Sequence, residues 1–556
     1  MSRSTKKEEN ILAQASILMV AGIITRIIGV LYRSPVTSII GDEGNGYYSI
    51  AVNIYTMILL ISSYSIPMAV SKVVSGKLAL KQYKDAHKVF RCALLYVFIV
   101  GVIGMSVTWF GASVLISENQ SNAVPALKVL APAIFFSGFL GVFRGYFQAH
   151  GSMVPTSVSQ IVEQIINAVV SIGAALLFIH LFAGNDDGKV PVYGAMGSAA
   201  GIVAGVISGL AFMLVLYMAN ASYFRKRRLH DVSGVDSSTA SIFLTIMLMV
   251  TPVILSTFVY NISTVINQTV FIDVMDYRGM DSRQAASLYG VFSGKFWVLI
   301  NVPVALANSM STAMIPAVSG NYTLGNLKKC GQKVKEAIHF VMMISIPAAA
   351  GLFVLACPVM QVLFPQKATI RIAINILRAG SISVIFYSLS TVSNGVLQGI
   401  GKVNIPLRNA AFALLLQVML LASLLYFTDL DLYALVAATC FYSFMMCFLN
   451  SLGVRKYLGY RQEIRKTFFI PAVSAVVMGI FCYFFYQGLY RLMTMICGGF
   501  LPLRVIILLC MMVAITFAVA VYFVCELKLG GVTEEEIVNF PKGTSLLRAA
   551  KRFGLL

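Results

Sequence analysis

Acidic residues are what this chain has least of. Its 556 residues include 22 Asp and Glu against 42 Lys and Arg, and all charged residues together make up 12%. A soluble domain carries about 25%, so a water-facing globule of this length is excluded. The nine cysteines form no CxxC pair, which excludes a zinc ribbon or a disulfide framework and leaves them as small hydrophobes. His87, His150, His180, His230 and His339 show no metal-ligand spacing, so no metal site is expected. There is no GxxxxGK[ST] loop, so ATP hydrolysis by this chain is not expected. The longest polar stretch, 527–556, is too short for a separate catalytic domain. The basic head at 1–10 is followed by no small-residue cleavage site, so the apolar run after it reads as a first span. The expectation is a transporter with no catalytic residues.

What the chain has instead is 58% hydrophobic residues and a mean hydropathy of +0.83. A helix needs about 20 apolar residues to cross a bilayer. About fourteen runs qualify, with cores at 12–39, 47–76, 89–115, 125–149, 154–182, 192–220, 239–271, 286–317, 337–363, 373–399, 407–427, 432–454, 467–490 and 503–526. The fold class is therefore an all-α polytopic membrane protein.

Loop charge orders these spans. With both termini inside, the inner segments hold 28 Lys and Arg, the outer segments hold seven, and seven lie within spans. Cationic loops stay on the cytoplasmic side, where they also meet anionic headgroups. The bias predicts an N-in, C-in topology and explains the net charge of +20 without nucleic acid.

The chain also echoes itself. Arg144-Gly-Tyr-Phe-Gln-Ala-His-Gly-Ser-Met-Val-Pro155 resembles Asn394-Gly-Val-Leu-Gln-Gly-Ile-Gly-Lys-Val-Asn-Ile-Pro406, with Gly145/Gly395, Gln148/Gln398, Gly151/Gly401 and Pro155/Pro406 in common. In each copy a Gly permits the turn and a Pro pre-sets the next helix. The copies fall in spans four and ten, and an even offset implies parallel repeats. The predicted layout is a six-helix bundle at 1–222, a cytoplasmic linker at 223–238, a second six-helix bundle at 239–456, two further helices at 457–526 and a cytoplasmic tail at 527–556. In the tail, Thr533-Glu-Glu-Glu536 reads as a capped helix start, suited to the membrane surface or to docking. Pro67, Pro252, Pro303 and Pro347 mark expected kinks within spans.

Seven cations lie inside apolar spans: Arg26, Arg33, Lys72, Lys128, Arg144, Lys295 and Arg378; Glu163 is the one carboxylate in that setting. A cation at the bilayer centre costs roughly 2.5–3.5 kcal/mol, so it usually faces a protein interior or a wet cavity. Such an excess suggests a cavity that holds an anion. Arg26 and Arg33 are seven residues apart, on one helix face about 10.5 Å apart in height, with Gly22 and Gly29 on the same stripe. Small residues beside two guanidinium forks suit a pyrophosphate. Lys72, after Pro67, and Lys295, near mid-span in helix eight, are further candidate contacts, while Lys128 and Arg378 read as interfacial anchors. Arg144 is a candidate gating residue or a pin for the repeat turn. Glu163 adjoins the polar face of Gln160, Gln164 and Asn167. It is open to pairing with Arg144 or Arg26, to titration as a proton site, or to sodium binding. Asn267 belongs to a polar run, Asn261, Ser263, Thr264 and Gln268, that is expected to line the same cavity.

At these residues the sequence resembles a known family. Arg144-Gly-Tyr-Phe-Gln148, Met153-Val-Pro-Thr156, Ser159-Gln-Ile-Val-Glu-Gln164, Leu397-Gln-Gly-Ile-Gly-Lys402 with Pro406, and Val538-Asn-Phe-Pro-Lys-Gly543 are similar to the signature of the stage V sporulation protein B family. That family lies within the multidrug/oligosaccharidyl-lipid/polysaccharide exporter superfamily, and Thr25-Arg26-Ile-Ile-Gly29 followed by Arg33 resembles the first-helix pattern of its lipid II flippases. At Asn167 the chain departs from the family pattern, in which Arg is common. The resemblance implies a flippase of the bacterial cell membrane that moves undecaprenyl-pyrophosphate-linked sugars, foremost lipid II, for peptidoglycan synthesis in growth or sporulation. It implies that Arg26 and Arg33, and more loosely Lys72 and Lys295, hold the pyrophosphate. Membrane lipid and cell-wall synthesis enzymes are the implied partners of a monomer. No cofactor is expected beyond a coupling Na+ or H+. The alternatives are a cation-coupled multidrug exporter of the same superfamily and, from another class, a membrane glycosyltransferase or polymerase. One acid against several cations disfavours the first; the lack of an acidic base and a large outer loop disfavours the second.

Overall fold

The computed structural model describes residues 3–63, 66–184, 186–231, 238–532, 548 and 551. Helices make up 88% of the chain, with no strand among the described residues. This follows from the solvent: lipid offers no hydrogen bonds, so each backbone group must be satisfied within its own helix. Among the described residues, eleven helices are long and apolar enough to cross a membrane, or twelve if one bent pair counts as a single span. The helix expected to start at Thr533 and the 538–543 motif lie outside the described residues.

Two compact units divide the chain, Met1–Gly294 and Lys295–Leu556. The first is built from α1 (Arg3–Ser62), α2 (Ile66–Ala79), α3 (Tyr83–Phe110), α4 (Val124–Ala149), α5 (Val154–Phe178), α6 (Val190–Ala219), α7 (Thr239–Tyr277) and α8 (Ser282–Val291). At sixty residues, a straight α1 would be about 90 Å long, three times the hydrocarbon thickness. It is not straight. Gly41 has φ 72° and ψ 179°, which is not helical, and it separates a leg at 3–40 from a leg at 42–62. Arg33 and Tyr48 would stand about 22 Å apart along a straight helix, yet their side chains meet at 5.1 Å. The chain therefore turns back at Gly41, where a side chain would be strained.

The helices of this unit are ordered by where side chains are missing. α6 presents Gly194, Gly197, Gly201, Gly205 and Gly209 to its neighbours. A Cβ on Gly197 would overlap the Ala174 carbonyl of α5, one on Gly201 would overlap the Ser171 hydroxyl, and one on Gly205 would sit 2.7 Å from the Glu163 carbonyl. Small residues at such spacing let two membrane helices approach backbone to backbone. α1 and α8 touch in the same way, through Gly46 against the Ala286 carbonyl and Gly290 against the Asp42 carbonyl. On α3, by contrast, Leu95, Phe98, Ile103, Val107 and Phe110 are more than half exposed. In water that face would be a large apolar patch; in a bilayer it meets lipid.

The second unit comprises α9 (Trp297–Thr323), α10 (Leu327–Val354), α11 (Ala356–Leu363), α12 (Ile370–Gly380), α13 (Ser383–Gly399), α14 (Asn404–Phe427), α15 (Leu432–Leu458), α16 (Ile470–Cys497) and α17 (Leu503–Lys528). α12 and α13 form the bent pair, at 47°. Of the expected proline kinks, Pro67 stands at a break: α1 ends at Ser62 and α2 starts at Ile66, with Pro67 in its first turn. Pro252, Pro303 and Pro347 lie inside uninterrupted helices. Further breaks fall at Gly41, Leu355 and 381–382. A proline in the first turn removes a donor that is unpaired anyway, and inside a span neighbouring groups can satisfy what it frees.

The two echo motifs form the same turn. Gly151 N–H donates to the Gln148 carbonyl at 2.9 Å and Ser152 N–H to the Phe147 carbonyl at 3.3 Å. Gly401 N–H donates to the Gln398 carbonyl at 3.0 Å and Lys402 N–H to the Leu397 carbonyl at 2.9 Å. Both pairs are Schellman closures, with φ 83° at Gly151 and 76° at Gly401. Gly145 packs 2.5 Å (as a built Cβ) from the Pro67 carbonyl, and Gly395 sits against Ser311. Nothing lies within 4 Å of a Cβ on Gly401, so Gly401→Ala carries the conformational penalty alone. It is expected to lower stability by about 1–2 kcal/mol, read as a lower thermal midpoint of purified protein. An unchanged midpoint would mean the turn tolerates another conformation.

Candidate functional site

The two cations of the first helix keep the relation the sequence predicts. Arg26 and Arg33 lie on the 3–40 leg of α1, two turns apart. Arg26 is exposed, and no hydrogen bond or ion pair ends on its side chain among the described residues. Arg33 is half-buried. Its guanidinium lies 5.1 Å from the centre of the Tyr48 ring, which the Gly41 reversal brings over it, and its Nη1 is buried without a hydrogen-bond partner. A ring face attracts a cation but takes none of its directional donors. The Arg26 fork and Arg33 Nη1 remain available for an anion, while Tyr32 also lies against the Arg33 guanidinium.

The same leg meets α5. A Cβ on Gly29 would lie 3.5 Å from Gln164 Nε2, whereas one on Gly22 meets nothing within 4 Å. The polar face expected on α5 is thus shared out. Gln164 turns to α1. Asn167 turns to α6, accepting a hydrogen bond from Ser171 Oγ at 3.0 Å beside Gly201 and Gly205.

Glu163 takes the ion-pair option. Arg144 Nη2 donates to Glu163 Oε2 at 2.7 Å and Arg144 Nε to Ser159 Oγ at 2.8 Å, bridging α4 to α5 across the first echo turn. The side chains are 14% and 29% exposed. Glu163 is spent on Arg144, so it neutralises neither Arg26 nor Arg33. A double-mutant cycle of Arg144→Ala and Glu163→Ala, read as thermal midpoints, is expected to give a coupling of about 1–3 kcal/mol. Arg144→Ala alone should cost more than the double variant, because it leaves a half-buried carboxylate without its partner. Strict additivity would show the pair to be energetically silent.

The other candidates are scattered. Lys72 on α2 and Lys128 on α4 are exposed. Arg378 on α12 is exposed beside an apolar groove lined by Phe353, Val354, Val476 and Ile480. Lys295 is fully buried in a π-helical turn, Phe292–Phe296, and its Nζ donates to Thr369 Oγ1 at 2.9 Å. Any ligand for this amine has to compete with that hydroxyl. Asn267 is half-buried, with its Oδ1 lacking a hydrogen-bond partner. Its neighbour Gln268 accepts from Asn53 Nδ2 at 2.7 Å, and Asn53 Nδ2 also donates to Tyr289 OH at 2.8 Å. This link of α1, α7 and α8 was missed in sequence, where Asn53 and Tyr289 are single polar positions in apolar runs. Among the described residues no group of His, Cys, Asp and Glu is placed to hold a metal ion. The chemistry that α1 offers is that of guanidinium groups suited to an anion.

Known proteins share this chain's sequence pattern and fold. A family model described as "Polysaccharide biosynthesis protein" matches residues 11–321, and the MatE model matches 294–422. The chain is 24% identical over 486 residues to "Lipid II flippase MurJ" of Bacillus subtilis (strain 168), covering 84% of this chain and 86% of that protein. It is 24% identical over 350 residues to "Stage V sporulation protein B" of the same organism, covering 63% and 65%. Its fold is similar to a solved lipid II flippase MurJ in an inward closed conformation, with a TM-score of 0.64 at 13% identity over 92% of this chain and 97% of that one. It is also similar to an inward-facing multidrug resistance MATE family transporter, with a TM-score of 0.64 at 16% identity over 80% and 98%. With a family match over more than half its length and eleven or more apolar helices, this is a multi-pass bacterial membrane protein that belongs to the polysaccharide biosynthesis protein family, within the flippase and transporter superfamily of multidrug, oligosaccharidyl-lipid and polysaccharide exporters.

Proposed function

We propose that this protein moves undecaprenyl-pyrophosphate-linked sugars, lipid II foremost, from the inner to the outer leaflet by alternating access. The observation that carries the reading is the pair Arg26 and Arg33 on one face of α1, with the nearby acid committed to Arg144. A pyrophosphate is a strong bidentate acceptor for guanidinium groups, and a free cation in lipid is costly unless it has such work. Lys72 is a supplementary contact, and Lys295 joins only when its bond to Thr369 opens. The Arg144–Glu163 pair and Asn267 are the proposed gating elements. The family and the relative named as a lipid II flippase support the substrate class.

In this reading the fourteen spans and N-in, C-in topology hold. The two legs of α1 are separate spans, and two parallel six-helix bundles rock about the headgroup while the prenyl tail stays in lipid. The protein acts as a monomer beside cell-wall synthesis enzymes and is reset by membrane potential, sodium or protons. A second reading, a cation-coupled multidrug exporter, is favoured by the MatE match at 294–422. Expression in a bacterium depleted of its own flippase, with outer-leaflet lipid II measured directly, separates them. Restored exposure supports the flippase. Drug efflux with no lipid-linked sugar movement establishes the exporter.

A further inference from the structure

The last two helices enclose a carboxylate that the anion site does not use. On α17, Ile506, Cys510, Ala514, Ala518, Tyr522 and Glu526 recur every four residues and all are buried. Glu526, at the end of that stripe, is 0% exposed. Its carboxylate lies against Gly531, where a Cβ would overlap Oε2, and it faces the hydroxyls of Ser474 on α16 and Tyr522 one turn earlier on α17. Ser474 and Tyr522 are 0% and 3% exposed. Both hydroxyls stand close enough to the carboxylate to act on it, yet neither they nor the carboxylate oxygens make a hydrogen bond of good geometry. No Lys, Arg or His forms an ion pair with Glu526 among the described residues.

We propose that Glu526, Ser474 and Tyr522 form a binding site for a sodium ion. A buried carboxylate with no counter-charge and no well-formed hydrogen bond is strongly unfavourable. One negative charge matches one monovalent cation and would leave a divalent ion half neutralised. The donors are all oxygen, the ligands that hard cations take. Oxygens around an ion of sodium's size, close to calcium's, stand about 2.3–2.6 Å from it. Neighbouring oxygens in such a shell stand about 3.3–3.7 Å apart and point at the ion rather than at one another. A proton on Glu526 would satisfy one acceptor and leave the other hydroxyls unserved. The site joins α16 to α17 and does not depend on what the protein transports, so its failure leaves the flippase reading untouched.

The test uses purified full-length protein in detergent, unfolded thermally in sodium chloride or in choline chloride at equal ionic strength and constant pH. Sodium is expected to raise the midpoint by several degrees, because a ligand of the folded state stabilises it by mass action. Glu526→Gln should abolish that rise, with a midpoint in choline chloride at or above that of the parent, since Gln has no charge to bury. Ser474→Ala should diminish the rise while the carboxylate stays. It decides the matter if Glu526→Gln does not fold, a full rise then overturning the proposal. No sodium-specific rise in the parent, or an undiminished rise in Glu526→Gln, overturns it. A midpoint that follows pH and not sodium also overturns it, assigning the proton to the carboxylate.

Discussion

Arg26→Ala combined with Arg33→Ala is expected to abolish exposure of the lipid-linked sugar on the outer leaflet while the protein remains folded and inserted. Each substitution removes a charge-assisted contact to the pyrophosphate worth about 1.5–3 kcal/mol. At about 1.4 kcal/mol per tenfold, either single variant should weaken transport at limiting substrate by one to two orders of magnitude. The fold should tolerate both. Arg26 is exposed with no partner, so nothing is orphaned by its removal. Arg33 loses its position over Tyr48, a contact worth about 0.5–1 kcal/mol, and its contact with Tyr32. Arg26→Lys keeps the charge but not the fork, and should restore activity in part. Lys128→Ala, on an exposed cation of α4, is the control and should be near normal. Direct measurement of outer-leaflet lipid II in a flippase-depleted host reads all four. Normal exposure by the double variant removes the first helix from the site.

Gly197→Leu should have the largest effect on stability. Even the first side-chain atom would overlap the Ala174 carbonyl, and it would stand 2.5 Å from the Ala175 Cα. Both are backbone atoms, so no rotamer change relieves the clash. α5 and α6 must separate, and contacts along Gly194, Gly201, Gly205 and Gly209 are lost with it. Overpacking a well-filled core typically costs about 1–3 kcal/mol; a leucine against backbone belongs at or above the top of that range. The measurable outcome is low recovery of monodisperse protein and a sharply lowered thermal midpoint. Gly22→Leu, on the open side of α1, should keep the parent's midpoint. A Gly197→Leu protein as stable as the parent would mean that α5 and α6 do not touch through this stripe.

Several features of the site were legible before any coordinates. The spacing of Arg26 and Arg33 gave one helix face because seven residues are close to two turns, and no tertiary contact alters that. The echo of 144–155 in 394–406 specified two alike turns, since a positive φ at Gly151 and Gly401 is a local demand of the backbone. Other features needed packing. That Glu163 pairs with Arg144 depends on how α4 and α5 meet, and sequence left Arg26 equally open to it. Lys295 read as a mid-span cation; its burial on Thr369 joins residues 74 apart. Glu526 read as the last residue of the final span. It is the last member of a buried stripe because α17 runs on to Lys528.

By itself, the sequence determined that this protein lives in a membrane, is helical, carries more intramembrane cations than acids, and turns alike in two places. Those properties follow from solvent, periodicity and local backbone preference, all of which act within a few residues. Only the tertiary structure decided which charges are spent and which are free. Pairing, burial and glycine-limited approach depend on which face of a distant helix arrives, and that is a property of the packed chain.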